Sequence, residues 1–190
     1  MEKNTAHTAL LVMDVQSAIL DNLPEKEDYV LRVNQAINTA RQHNITVIFV
    51  RVGFRKNVPE VGTNNKFFDG FKKHIMEMGE ENFLTLAPSL DRKEEDIVVT
   101  KRRVSAFAGS DLEVLLRAQN IKHLVLTGVA TSGVVLSTLR EASDKDFQLT
   151  VLADACADRD PEVHRVLTEK VFARQADIIS NEQFAQALSR

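Results

Sequence analysis

The sequence holds one cysteine in 190 residues, Cys156. An intramolecular disulfide and a zinc site built from several cysteines are therefore excluded. No apolar run approaches the roughly 20 residues needed to span a bilayer. The N-terminal stretch MEKNTAHTALLVMDVQ lacks the charged, apolar and small-residue order of a signal peptide, and its apolar run stops at Asp14. Basic residues never cluster into an arm for nucleic acid, and the net charge is −3. These absences predict a cytoplasmic protein that engages neither membrane nor nucleic acid. Repeats, low-complexity tracts and linkers are missing too, so the expectation is one domain over residues 1–190.

Present instead are six short runs rich in Val, Ile and Leu. They are ALLVMDV from Ala9, ITVIFVRV from Ile45, DIVVTK from Asp96, HLVLTGV from His123, QLTVLADA from Gln148 and ADIIS from Ala176. Continuous rather than alternating apolar residues imply strands buried on both faces, as in a parallel sheet. Helical signals separate them. Val30, Val33, Ile37 and Ala40 recur at helical spacing. Ser110 with Glu113, and Ser180 with Gln183, form capping-box patterns. Asp160 before Pro161 reads as an N-cap and first helical position. Alternating strand and helix predict an α/β three-layer sandwich around a six-stranded, mainly parallel sheet. Residues 53 to 92, with the cluster FFDGF at 67 to 71, fit this alternation poorly. They read either as a lid or binding loop, or as a meandering connection with a short helix near 67 to 77.

In an open parallel sheet, ligands bind beyond the C-terminal ends of the strands. The first run ends in Asp14, followed by Gln16. The second ends near Arg51, the third in Lys101, and the fifth in Asp154 and Cys156. The fourth leads into TGVATSGVVLSTLREA, whose small polar residues precede a helical run from Val134. An acid, a lysine and a helix start thus converge on one edge. A carboxylate beside a lysine can move protons, and backbone N–H groups at a helix start can hold an anion.

Four segments in this order resemble the isochorismatase-like hydrolase family, also called the cysteine hydrolases. They are LLVMDVQ, VVTKRRVSAF, TGVATSGVVLSTLREA and LTVLADACADRDPEVH, and the resemblance runs from about residue 8 to residue 180. It implies an aspartate, a lysine and a cysteine as the working triad. Asp14 and Lys101 match the first two, and Val134 stands where the nucleophilic cysteine is expected. Valine can neither ionise nor attack. Ser132 and Ser137 supply hydroxyls on the same segment, but as helix-cap or surface groups. Cys156 follows the fifth strand rather than the fourth, so a packed thiol is expected there. The resemblance also implies a cis peptide between Val129 and Ala130. Candidate binding residues around the site are Gln16, Arg51, Phe107, Ala130, Thr131 and Ser132.

Isochorismatases proper resemble this chain in keeping the aspartate and lysine without a thiol. The reaction implied is vinyl-ether hydrolysis, with Asp14 as proton donor and Lys101 binding an anionic substrate or positioning the acid. A nearby Lys101 cation lowers the pKa of Asp14 whereas burial raises it, and the sequence leaves that balance open. Arg51, Arg55, Arg102 and Arg103 are candidate partners for substrate carboxylates. No metal is expected, because RVGFRKNVPE after the second strand carries no histidine. His7, His43, His74, His123 and His164 read as structural or surface groups. No cofactor is implied. The partners expected are a small-molecule substrate and further copies of the chain in a homodimer or larger oligomer. The alternative is a catalytically silent family member that serves as a binding or interaction module. An open pocket at Asp14 and Lys101 separates the two, since a silent member would keep them as a buried ion-pair remnant.

Overall fold

Each apolar run forms a strand in the computed structural model, which describes residues 5–189. The strands are β1 (Thr8–Met13), β2 (Thr46–Val52), β3 (Ile97–Lys101), β4 (His123–Val129), β5 (Gln148–Ala157) and β6 (Asp177–Ile179). They form one sheet in the order β3-β2-β1-β4-β5-β6, and every pairing is parallel. The helices are α1 (Ser17–Leu20), α2 (Lys26–Gln42), α3 (Lys66–Met78), α4 (Glu80–Phe83), α5 (Leu112–Ala118), α6 (Leu136–Asp144), α7 (Pro161–Val166) and α8 (Asn181–Ser189).

Alternation along the strands divides two cores. Leu11, Met13, Ile48 and Val50 pack with Leu112 and Leu116 of α5 and Leu139 of α6. Leu10, Val12, Val47 and Phe49 pack with Val33 and Ile37 of α2 and Phe184 of α8. Helices thus cover both faces of the sheet, giving three layers. Burial on both sides is why the runs lack an apolar–polar alternation. Among the described residues, no helix is long and apolar enough to cross a membrane.

The expected caps divide. Asp160 accepts from the N–H groups of Glu162 and Val163 at the start of α7. Ser180 and Gln183 form the reciprocal pair: the Ser180 N–H donates to Oε1 of Gln183 (2.8 Å), and the Gln183 N–H to Oγ of Ser180 (3.2 Å). The box expected at Ser110 and Glu113 does not form. Asp111 is the N-cap of α5 and makes no side-chain cap bond. The Ser110 hydroxyl donates to the Ala106 carbonyl (2.7 Å) and accepts from the Leu112 N–H (3.2 Å) rather than from that of Glu113, and Lys145 takes the Glu113 carboxylate (2.6 Å).

Residues 53 to 92 are more structured than a meander. The helix expected near 67 to 77 is α3, and α4 follows it. Val52, Phe54, Val58, Val61, Phe68, Ile75 and Phe83 form a third, smaller core there. Phe54 and Phe68 meet edge to face with ring centroids 5.6 Å apart. This unit sits beyond the C-terminal ends of the strands. There β1 has β2 on one side and β4 on the other, so the strand order reverses. Such a reversal opens a crevice between the loops that leave the two neighbouring strands.

Candidate active site

Asp14 is the first residue past β1, and Lys101 is the last residue of β3. Their side chains meet under the crevice, with Nζ of Lys101 2.8 Å from Oδ2 of Asp14. Both are buried, at 1% exposure for Lys101 and 5% for Asp14. The Asp14 backbone is in the left-handed region (φ 58°), which costs a non-glycine residue about 1–3 kcal/mol and recurs where a side chain must be aimed. Its N–H is held by the Val50 carbonyl at 2.8 Å.

Lys101 has no donor to spare. An ammonium has three N–H groups. Beyond Asp14, Nζ donates to the carbonyls of Arg103 and Val104, each at 2.9 Å. The loop after β3 is folded to deliver those carbonyls, since the Arg102 N–H reaches the Ala108 carbonyl and the Ala106 N–H reaches Oγ1 of Thr138 on α6. Asp14 differs. Its Oδ1 is buried and has no hydrogen-bond partner among the described residues. Burial raises the Asp14 pKa and outweighs the lowering by Lys101.

The pair opens on a cavity of about 340 Å³. Val129, Ala130, Ser132, Gly133 and Val134 line it from the β4 side, and Phe67, Phe68, Phe71 and His74 of α3 close it from above. At the floor, Gly128 pairs with Met13 in register, and any Cβ there would stand 2.7 Å from the Met13 carbonyl oxygen. Only glycine permits that approach of β4 to β1 just before the turn. The peptide between Val129 and Ala130 is cis, as the resemblance implied.

The other expected residues disperse. Gln16 is fully buried and ties the Val52 and Phe83 backbones together, accepting from the Val52 N–H at 2.7 Å and donating to both carbonyls. Phe107 packs against Phe147 in the core. Thr131 is fully buried, and its hydroxyl is hydrogen-bonded to Nδ1 of His164 at 2.8 Å. None of the three is among the residues lining the cavity. The Ser132 N–H, a candidate anion holder at the helix start, is already taken by the Asp158 carboxylate at 2.8 Å. Asp154 caps Asn181 at the start of α8.

The four arginines are spent elsewhere. Arg51 bonds Thr100 and the Leu84 carbonyl, and Arg55 pairs with Glu60 at 2.7 Å. Arg102 donates to the Gly53 carbonyl, and Arg103 to the Glu60 carbonyl. None lines the cavity, which instead has Arg159, from the loop after β5. That residue was not singled out from the sequence. It is an exposed residue that borders the cavity, and a loop pattern does not show which side chain will do so.

Cys156 is buried in β5 beside Gly128 and does not line the cavity. Burial pushes its thiol up to about 12, so it is protonated at neutral pH. Among the described residues, no group of three or more His, Cys, Asp or Glu is arranged to hold a metal. After β2, Phe54 belongs to the third core and Arg55 is ion-paired, so this segment offers no zinc donor set.

A family model described as the isochorismatase domain matches residues 8–183. The chain is 31% identical over 191 residues to YecD of Escherichia coli O157:H7, named as an isochorismatase family protein, covering 99% of this chain and 100% of that one. It is 30% identical over 202 residues to the ureidoacrylate amidohydrolase RutB of Stutzerimonas stutzeri (strain A1501), covering 94% of this chain and 77% of that one. A solved isochorismatase family protein from Burkholderia thailandensis aligns with a TM-score of 0.83 at 26% identity, covering 97% of each chain.

Proposed function

Since the chain belongs to the isochorismatase family, we propose that it is a hydrolase of a small anionic molecule that works without a covalent thiol intermediate, with vinyl-ether hydrolysis the favoured reaction. The observation that carries this reading is Asp14: a buried carboxyl with one unpartnered oxygen, facing a cavity that no thiol lines. In this reading Val134 occupies the place of the family's nucleophile.

The chemistry follows from that inventory. Asp14, protonated on Oδ1, gives its proton to the terminal carbon of the enol ether. The ether oxygen stabilises the resulting cation. Water adds to that cation and returns a proton to Asp14, and the hemiketal collapses to a ketone and an alcohol. Lys101 holds Oδ2 in place with all three donors used, so its role is to position the acid rather than to grip substrate. The substrate's anion pairs with Arg159, which has no acidic partner among the described residues, while Phe67 and Phe71 enclose the body.

The silent-module reading expects a sealed ion pair, and the cavity over Asp14 weighs against it. Amide hydrolysis has support in the name of the RutB relative. On this chain it requires an attacking atom, and Ser132 supplies the hydroxyl that lines the cavity. One panel of carboxylated vinyl ethers and carboxylated amides, run on wild type, Asp14→Asn and Ser132→Ala, separates the readings. The proposal expects vinyl-ether turnover that is lost in Asp14→Asn and kept in Ser132→Ala. Turnover confined to amides, or binding without turnover, overturns it.

A further inference from the structure

A second cavity, of about 570 Å³, lies next to the first, and its contents call for a ligand of their own. On β2 the two cavities are divided by alternation: Val52 lines the Asp14 cavity and Arg51 lines this one. The other charged residue on its wall is Arg92, and no carboxylate is among the lining residues.

Arg51 is fixed in place. Its Nε donates to Oγ1 of Thr100 at 3.1 Å, and its Nη1 donates to the Leu84 carbonyl at 3.2 Å. Its Nη2 has no partner among the described residues. Arg92 donates from Nη1 to the Lys93 carbonyl at 3.1 Å, which leaves its Nε–Nη2 edge unspent. Neither guanidinium forms an ion pair with a described carboxylate. Arg41, by contrast, is neutralised by Asp91 at 3.0 Å and Asp96 at 2.5 Å. Burial, and then the Arg92 cation, hold Arg51 below its ordinary pKa, so the two cations sense each other.

We propose that this cavity is a separate binding site for a small organic oxyanion, held between the free edges of Arg51 and Arg92 with its apolar body against Leu86, Leu90 and Val98. Two uncompensated cations facing one space repel each other, and an oxyanion between them removes the repulsion while filling both forks. Leu86, Leu90 and Val98 add a small apolar surface to a mainly polar lining, and that surface favours an organic over an inorganic oxyanion. Arg51 is thereby reassigned: it is an anion-binding residue of its own cavity, not of the Asp14 cavity.

The test is an NMR titration of the full chain, following backbone amides and leucine methyls. Benzoate, phenyl phosphate, inorganic phosphate and uncharged benzyl alcohol are added separately. We expect saturable shifts centred on Thr85, Leu86 and Leu90 with benzoate or phenyl phosphate, and weaker binding of inorganic phosphate. Benzyl alcohol should give none. A response to one organic anion only identifies the headgroup as carboxylate or phosphate. Arg92→Ala, a change at an exposed residue, should weaken binding about tenfold or more, the loss of one charge-assisted contact. Arg159→Ala should leave it unchanged. The proposal is overturned by the absence of saturable shifts at Thr85, Leu86 and Leu90 in millimolar anion, by shifts confined to Val134 and Arg159, by equal binding in Arg92→Ala, or by inorganic phosphate or benzyl alcohol binding as tightly as the organic anions.

Discussion

Asp14 stands between two opposed influences, and their balance decides what it can do. Burial disfavours its charge and Lys101 favours it; burial is the larger, so the pKa is raised. An acid catalyst needs that direction. We expect Asp14→Asn, which keeps the shape and removes the proton, to lower kcat about 10²- to 10⁴-fold. We also expect kcat/KM to fall as pH rises through the raised pKa. Lys101→Ala removes the opposing cation, so that limb should move to higher pH. It also leaves a carboxyl buried without its partner, at a cost of about 3–5 kcal/mol where the carboxyl is ionised. Stability carries the same sign. A folded pKa above the reference 3.8 means that this group's contribution is fully present below 3.8 and is lost as pH rises through the folded value. Thermal unfolding of wild type minus that of Asp14→Asn should therefore decline with rising pH, and a difference flat in pH would show that burial does not dominate. Cys156→Ser should retain full turnover, and iodoacetamide should leave activity intact, because the thiol is buried and protonated. That Asp14 and Lys101 come together was legible in the sequence because both stand at strand ends on one edge of the sheet. The arginine beside the cavity was not. Arg51, Arg55, Arg102 and Arg103 are candidates because a guanidinium matches a carboxylate, but neighbouring carbonyls, Thr100 and Glu60 hold them away, and the guanidinium that borders the cavity is that of Arg159.

At the scale of elements, α3 shows where pattern reading stops. Its residues Phe68 and Ile75 belong to the third core and also line the Asp14 cavity, beside Phe67, Phe71 and His74, which line the cavity alone. Periodicity marks an apolar stripe but does not say whether core or ligand lies beneath it. The FFDGF cluster does both: Phe68 is core, and Phe67 and Phe71 are 55% and 40% exposed. On the proposed function, in which these rings cover the substrate, Phe67→Ala or Phe71→Ala should raise KM several-fold, with stability lowered by about 1 kcal/mol because each ring is about half buried. A large loss of melting temperature with unchanged KM would place these rings in the fold rather than the site. Cap patterns were legible where both partners are free of competitors, as at Ser180 and Gln183. They failed at Ser110 and Glu113, where the Ser110 oxygen accepts from the Leu112 N–H rather than from that of Glu113, and Lys145 takes the Glu113 carboxylate.

For the whole molecule, the sheet was the most legible part. The central strands β1, β2 and β4 are buried almost throughout, whereas the edge strands β3 and β6 are only partly so, and a chain with that pattern has few ways to satisfy its backbone except a parallel sheet between helices. The segment 53 to 92 was the least legible, because its core is assembled from scattered phenylalanines rather than from a periodic run. That segment also leaves apolar surface outside. Phe67 and Phe71 lie one helical turn apart with ring centroids 5.3 Å from each other, and both reach solvent at the cavity mouth. Aromatic rings clustered at a surface are more often contact area than isolated exceptions. We therefore expect the protein to associate through the α3 face as a homodimer or a larger closed oligomer, with the partner copy covering these rings and narrowing the entrance to the Asp14 cavity. Light scattering at micromolar concentration should give a mass at least twice the 21.3 kDa of one chain. Replacing both rings, Phe67→Glu with Phe71→Glu, should return the monomer mass with an unchanged far-ultraviolet circular dichroism spectrum. A wild-type protein that scatters only as a monomer overturns the association and leaves the two rings with one partner, the substrate. An oligomer that survives the double substitution places the interface on another face.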